Sequence, residues 1–187
     1  MRIAVSGTHR TGKSTLVADL AAALPGHPAV AEPYHLLEDE GYDFPETPSL
    51  EDYQRQFERS LESMLEIRGD AVFERCPADF VAYVMCQPDA EVFDPEDWVD
   101  PMREAVETLD LIVFVPVEEP DRIPLPSWED GGYRLRVGEK LSDILGGGWF
   151  GLDVEVLEVS GNRRQRLEQV LGWVRDRHDP EPKAMRA

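Results

Sequence analysis

Gly7-Thr8-His9-Arg10-Thr11-Gly12-Lys13-Ser14 has the spacing G-x-x-x-x-G-K-[ST], that of the phosphate-binding P-loop. Gly7 and Gly12 permit backbone angles and close approaches that a Cβ blocks. The loop turns successive N–H groups inward as an anion nest. Lys13 supplies a point charge for the β- and γ-phosphates, and Ser14 offers a hydroxyl to Mg²⁺. Thr8, Arg10 and Thr11 within the loop and Thr15 just after it complete the candidate nucleotide-binding set. The flanks suit the motif: Arg2–Ser6 is a short apolar run that predicts a buried strand, and Thr15–Leu24 is rich in helix formers. Strand, glycine loop and helix is the required order, and the helix N-terminus adds partial positive charge.

Working outward, apolar runs and breakers alternate in the manner of an α/β domain with a mainly parallel sheet. Pro25–Pro28 breaks the chain before a short strand at Ala29–Ala31. Residues 34–48 are polar and rich in turn formers. A helix is expected from Pro48 or Ser49 to about Arg68, where Leu50, Tyr53, Phe57, Leu61 and Met64 recur at helical spacing. Ala71–Phe73 predicts a third strand, and Pro77 opens a helix to about Cys86. Asp94 is the expected cap of a helix with Pro95 at its first position, reaching Thr108. Leu111–Val115 is the clearest buried strand. A proline-, glycine- and charge-rich segment follows, then a short helix over Glu139–Leu145 and a fifth strand over Val154–Val159. Asn162 is placed as the cap of a last helix to about Arg177. One domain is expected over residues 1–178, with a flexible lid at about 118–140 and a tail at 179–187.

The chain has 187 residues, an apolar fraction of 42% and a formal net charge of −19. Such a field repels polyanions, so long nucleic acid and anionic membrane are not expected partners. No apolar run has the length of a membrane span, and Met1 leads directly into the first strand, so a cytoplasmic protein without a signal peptide is expected. Cys76 and Cys86 are too few for a disulfide framework and lack zinc-ligand spacing.

Three constellations bear on chemistry. Glu32 ends the second strand, where a carboxylate can face the γ-phosphate and orient an acceptor hydroxyl. Phe73-Glu74-Arg75-Cys76-Pro77-Ala78-Asp79, with Tyr83 a turn later, leaves a third strand. Glu74 is a candidate Mg²⁺ ligand beside Ser14, and Arg75 a candidate clamp for phosphate or an acceptor oxygen. The 118–140 segment carries Arg122, Arg134, Arg136 and Lys140, any of which can neutralise transferring phosphate if the segment closes. Asp130-Gly131-Gly132 resembles a hinge. Arg163, Arg164 and Arg166 at the start of the last helix oppose its dipole and are expected to be solvated. No Asn-Lys-x-Asp run is present to read guanine, which argues against a GTPase.

The chain resembles the P-loop nucleoside and nucleotide kinases, and most of all the bacterial AAA-type ATP-binding proteins related to ribosylnicotinamide kinases. Deoxynucleoside and thymidylate kinases are more distant relatives. The resemblance rests on Ser6–Thr15, Glu32-Pro33, Glu74-Arg75 with Asp79 and Tyr83, Asp130–Arg134, and Val159-Ser-Gly-Asn162. It implies a three-layer P-loop NTPase fold with strand order 2-3-1-4-5. It implies ATP and Mg²⁺, with Lys13, Glu32, Arg75, Asp79 and Arg134 in catalysis and Ser14 and Glu74 on the metal. Glu32 or Asp79 resembles the base, Cys76 stands where deoxynucleoside kinases have Ser, and Gln54 and Gln56 sit where such kinases read the acceptor. The expected activity is phosphoryl transfer to a small hydroxylated acceptor, a nucleoside or nucleotide, by a monomer or homodimer. The alternatives are a kinase of another metabolite or an antibiotic, and a nucleotide-binding regulatory NTPase module.

Overall fold

The computed structural model describes residues 1–88, 90–147 and 151–178; the expected tail at 179–187 and Gly148 lie outside them. Five strands, β1 (Arg2–Ser6), β2 (Ala29–Val30), β3 (Ala71–Glu74), β4 (Leu111–Phe114) and β5 (Val156–Glu158), form one sheet in the order β2-β3-β1-β4-β5. Every pairing is parallel. The helices are α1 (Lys13–Ala23), α2 (Pro33–Asp39), α3 (Leu50–Glu66), α4 (Pro77–Met85), α5 (Glu96–Val106), α6 (Gly131–Leu145) and α7 (Arg163–His178).

Strand periodicity sets the three layers. Ile3 and Val5 of β1, Val72 of β3 and Leu111 and Val113 of β4 face Leu16, Leu20 and Val170 on α1 and α7. The alternate residues Ala4, Phe73, Ile112 and Phe114 face Phe57, Phe80, Met102 and Leu141 on α3 to α6. A sheet covered on both faces needs central strands that are apolar throughout, which is why β1 and β4 read as unbroken runs.

Register aligns the carboxyl ends of the strands. Val5 pairs with Glu74 on one side and Val113 on the other, so the chain leaves β1, β3 and β4 at one edge. Gly7, Arg75 and Val115 therefore lie side by side, and ligands of open α/β sheets bind at that edge.

Several elements differ from expectation. Most of α2 lies within residues 34–48, because Pro33 takes the first helical position after extended Glu32, a start signal that the turn formers downstream obscure. α6 begins at Gly131, eight residues before the expected Glu139, so residues 131–140 of the anticipated lid are helical. Asp130 Oδ1 accepts from the N–H groups of Gly132 and Tyr133, and burial of Val137 and Leu141 outweighs the poor helix propensity of two glycines. Asp94 does accept the N–H of Glu96, although the cap position belongs to Pro95.

Candidate functional site

The P-loop is wrapped as its glycines require. A Cβ at Gly7 would sit 2.4 Å from the carbonyl oxygen of Val115, and Gly12 takes φ +91° at the start of α1. Arg10 also has positive φ, at 55°, while the N–H of Gly7 donates to Asp79 Oδ1 at 3.0 Å and that of His9 to the Tyr83 hydroxyl at 2.8 Å. Lys13 is buried and its Nζ donates to the carbonyl of Thr8 at 2.6 Å. Burial, and then the neighbouring Arg75 guanidinium, push its ammonium down to about 7 against the pull of Asp79, Glu32 and Glu74. Ser14 Oγ donates to Glu74 Oε1 at 2.5 Å, so the two candidate metal ligands touch.

Among the described residues no group of three or more His, Cys, Asp or Glu could hold a metal by itself. Mg²⁺ is a hard cation that takes one or two protein oxygens and completes its shell with phosphate and water. The donor set of Ser14 and Glu74 is of that kind.

Arg75 lies between three elements. It has φ +71°, a conformation that costs a non-glycine residue about 1–3 kcal/mol and swings its side chain back over the loop. Its Nε donates to Glu32 Oε2 at 2.7 Å, and Nη1 donates to Gly7 O at 2.9 Å and Asp79 Oδ1 at 3.3 Å. Burial works against ionised Glu32, but Arg75 outweighs it and holds the carboxyl below its usual range.

Glu32 and Asp79 diverge in setting. Asp79 is 0% exposed and accepts from Ser6 Oγ at 2.7 Å, Gly7 N at 3.0 Å and Cys76 N at 3.0 Å, besides Arg75. It is a fastener between α4 and the P-loop. Glu32 lines a cavity of about 380 Å³ whose wall also includes Arg75, Gln56, Tyr53, Tyr83 and Tyr133. Of the two glutamines on α3, Gln56 is buried and reaches this cavity, while Gln54 donates to Glu58 on the outer face.

A second cavity of about 330 Å³ opens on the other side of the loop, bounded by Gly12, Leu16, Ile123 and Asn162 together with Arg122 and Arg166. Arg166 is buried, contrary to the expected solvated cluster. Its Nη1 donates to Thr11 O at 2.5 Å and its Nη2 to Glu118 Oε1 at 2.9 Å. Its companions Arg163 and Arg164 pair with Asp19 and Glu168 near the surface. Glu118 also accepts from Gly161 N at 2.7 Å and from Arg122. Burial opposes ionisation of Glu118, yet these donors bring its carboxyl down to about 2.

The 118–140 segment is fastened to the P-loop. Arg134, 2% exposed, donates through Nε to His9 O at 3.1 Å and through Nη2 to Arg10 O at 2.9 Å, and Nη1 pairs with Asp121 at 2.5 Å. Glu129 accepts from Arg10 Nε at 2.7 Å and lies 3.5 Å from His9 Nε2. Burial holds the imidazole of His9 down at about 4 despite Glu129. Thr15 is exposed at the head of α1 and borders the second cavity. Glu118 and Glu129 escaped sequence reasoning, since a lone carboxylate in an acidic chain carries no signature, and Arg166 was read as solvated although it is buried. The position of Arg166 one helical turn after the capping Asn162 was the available hint.

Residues 2–166 match the family model described as AAA domain. No curated protein is significantly similar to the chain in sequence. A deoxyadenosine kinase from M. mycoides, solved with bound dATP, superposes with a TM-score of 0.65 at 14% identity, covering 94% of this chain and 99% of that one. Thymidylate kinase from Candida albicans gives 0.65 at 16% identity, over 96% and 93% of the two chains. Shikimate kinase from Aquifex aeolicus gives 0.56 at 16% identity, over 95% and 98%. At such identities the likeness is one of fold.

Proposed function

The chain belongs to the AAA domain family, and on that premise we propose that it is an ATP- and Mg²⁺-dependent phosphotransferase whose acceptor is a small hydroxylated molecule, a nucleoside or nucleotide. The observation that carries this reading is the pair of cavities that the P-loop separates, with Glu32 and Arg75 on the wall of one and the Gly161 loop on the wall of the other. A protein that only hydrolyses nucleotide has no need of a second, carboxylate-bearing chamber beside the γ-phosphate position. The similarity to kinases of three different acceptors supports the reaction class and leaves the acceptor to the local chemistry.

In this reading the donor base lies in the cavity bounded by Arg122, Ile123 and Asn162. Its phosphates follow the amides from Arg10 to Thr15, with Lys13 on the β- and γ-oxygens. Ser14 and Glu74 would hold Mg²⁺, which would supply neutralisation of phosphate charge. The acceptor hydroxyl sits against Glu32. Its oxygen forms the new bond to the γ-phosphorus as the bond from that phosphorus to the β–γ bridging oxygen breaks, and ADP leaves with that electron pair. The hydroxyl proton passes to the Glu32 carboxylate.

A low carboxylate pKa suits this role, because a loose transition state asks for orientation first and proton removal late. Asp79, with both oxygens engaged, is the positioning residue that holds the loop and Arg75. Arg75 keeps Glu32 ionised and balances charge at the acceptor. Arg134 acts by fixing the His9 and Arg10 carbonyls, and so the shape of the nest.

The test is acceptor-dependent ADP release. With Mg-ATP, purified protein is expected to release ADP at least tenfold faster in the presence of some nucleoside or nucleotide than in its absence. If other hydroxylated metabolites stimulate release and none of these does, the acceptor class is wrong. Tight ATP binding with release that no acceptor accelerates points to the regulatory module instead.

A further inference from the structure

Successive carbonyls of the P-loop are taken up by buried basic side chains. Gly7 O accepts from Arg75 Nη1 at 2.9 Å and Thr8 O from Lys13 Nζ at 2.6 Å. His9 O and Arg10 O accept from Arg134 at 3.1 and 2.9 Å, and Thr11 O from Arg166 Nη1 at 2.5 Å. In a trans peptide the C=O and the following N–H point to opposite sides, so each held carbonyl fixes the direction of the next amide. Arg134 sets the amides of Arg10 and Thr11 in this way, and Arg166 that of Gly12. Their peptides lie before α1, whose hydrogen bonds begin at Gly12 O, so side chains orient what the helix does not.

Arg166 reaches the loop because of how α7 starts. Asn162 Oδ1 accepts from Gln165 N at 3.0 Å, and its carbonyl accepts from Arg166 N at 3.0 Å. From that start Arg166, Val170 and Val174 recur every four residues on the buried face. The guanidinium lies against the peptide it holds: a Cβ at Gly12 would come within 3.2 Å of Nη1. Nη2 binds Glu118, which also accepts from Gly161 N, so the same side chain is tied to the loop before α7. Among the described residues its buried Nε has no hydrogen-bond partner. A charge buried with an orphan donor is a poor stabilising device, and such departures from good packing concentrate where function requires them.

We infer that Arg166 is a positioning residue of the nucleotide site: it acts on the phosphates through the Thr11–Gly12 peptide instead of touching them, and links that peptide through Glu118 to the Gly161 loop. The inference deepens the nucleotide-binding half of the proposed function and rests on that half alone, whatever acceptor follows.

Arg166→Lys tests it, since lysine keeps a charge beside Glu118 and loses the fork that holds Thr11 O and Glu118 at once. Calorimetry uses Mg-ATP and Mg-tripolyphosphate, which has the phosphates and no base. Both dissociation constants are expected to rise about tenfold, by factors that agree within about threefold. A rise for Mg-ATP alone assigns Arg166 to the base and overturns the inference. Unchanged constants beside a lower Tm overturn it in favour of a purely structural pin.

Spectra of protein labelled with ¹⁵N-glycine separate action through the loop from direct contact. In the ligand-free variant the Gly12 amide resonance is expected to move while that of Gly172, further along α7, stays in place. Lost affinity with an unmoved Gly12 resonance means that Arg166 touches the phosphates, and overturns the inference. Should Arg166→Lys fail to fold, Glu118→Gln is the milder variant, because it loosens the guanidinium and leaves it in place. It is expected to move the same resonance, and no movement counts against the link. If the wild-type protein binds neither probe, the nucleotide reading itself fails and the inference falls with it, a result distinct from a wild-type protein that binds both and a variant that binds them equally well.

Discussion

Lys13 is a buried ammonium whose charge is disfavoured until an anion arrives. Its pKa is lowered to about 7 by burial and by Arg75, and a triphosphate beside it raises that value again. The sign follows directly. Below about pH 7 the amine is protonated both free and bound, so binding takes up no proton. Above about pH 7 the free amine is neutral and binding must protonate it, so nucleotide affinity falls as pH rises, with a limiting slope of about one decade per pH unit. Calorimetry in buffers of different ionisation heat reads this as proton uptake above pH 7, and a pH-independent affinity from 7 to 9 contradicts it.

At the same scale Glu32 and Asp79 separate by experiment. Glu32→Gln should lower kcat by about 10²–10⁴ with little loss of stability, since the side chain borders a cavity. Asp79→Ala removes an acceptor from a buried ion pair and strands Ser6, Gly7 and Cys76 donors. It should cost about 3 kcal/mol, or roughly 6–12 °C in Tm for a chain of this length. Thermal unfolding beside single-turnover rates checks both. A stable, inactive Asp79→Ala protein would move the base role to Asp79.

Among the elements, legibility tracked how much of the information is local. β1, the P-loop and β4 could be read because apolar runs and glycine spacing are properties of consecutive residues. α2 and the first half of α6 could not. Pro33 and Asp130 are cap signals of one residue each, and the glycines and turn formers beside them point the other way until Val137 and Leu141 find their partners in the core. The candidate site divides likewise. Glu32, Glu74, Arg75 and Asp79 were legible from strand ends, while Arg166 and Glu118 meet only because β4, the Gly161 loop and α7 converge.

That convergence carries its own prediction. Glu118 ties Arg122, Gly161 and Arg166 together beside the cavity proposed for the donor base. Glu118→Gln should raise KM for ATP about tenfold with kcat within about threefold, the signature of lost uniform binding. A fall in kcat at unchanged KM contradicts a donor-positioning role.

For the whole molecule, one parallel sheet with order β2-β3-β1-β4-β5 gathers Glu32, Glu74, Arg75 and the P-loop on a single edge, and in the proposed reaction catalysis would consist largely of positioning and preorganised charge. The described residues include no helix long and apolar enough to cross a membrane. A net charge of −19 works against binding of a long polyanion. The central claim is transfer, as distinct from hydrolysis, and the destination of the γ-phosphorus tests it most directly. With γ-labelled ATP, Mg²⁺ and a nucleoside panel, the label should appear in a nucleoside monophosphate and be absent from it with Lys13→Ala protein. Label found in inorganic phosphate alone, whatever acceptor is supplied, contradicts the account.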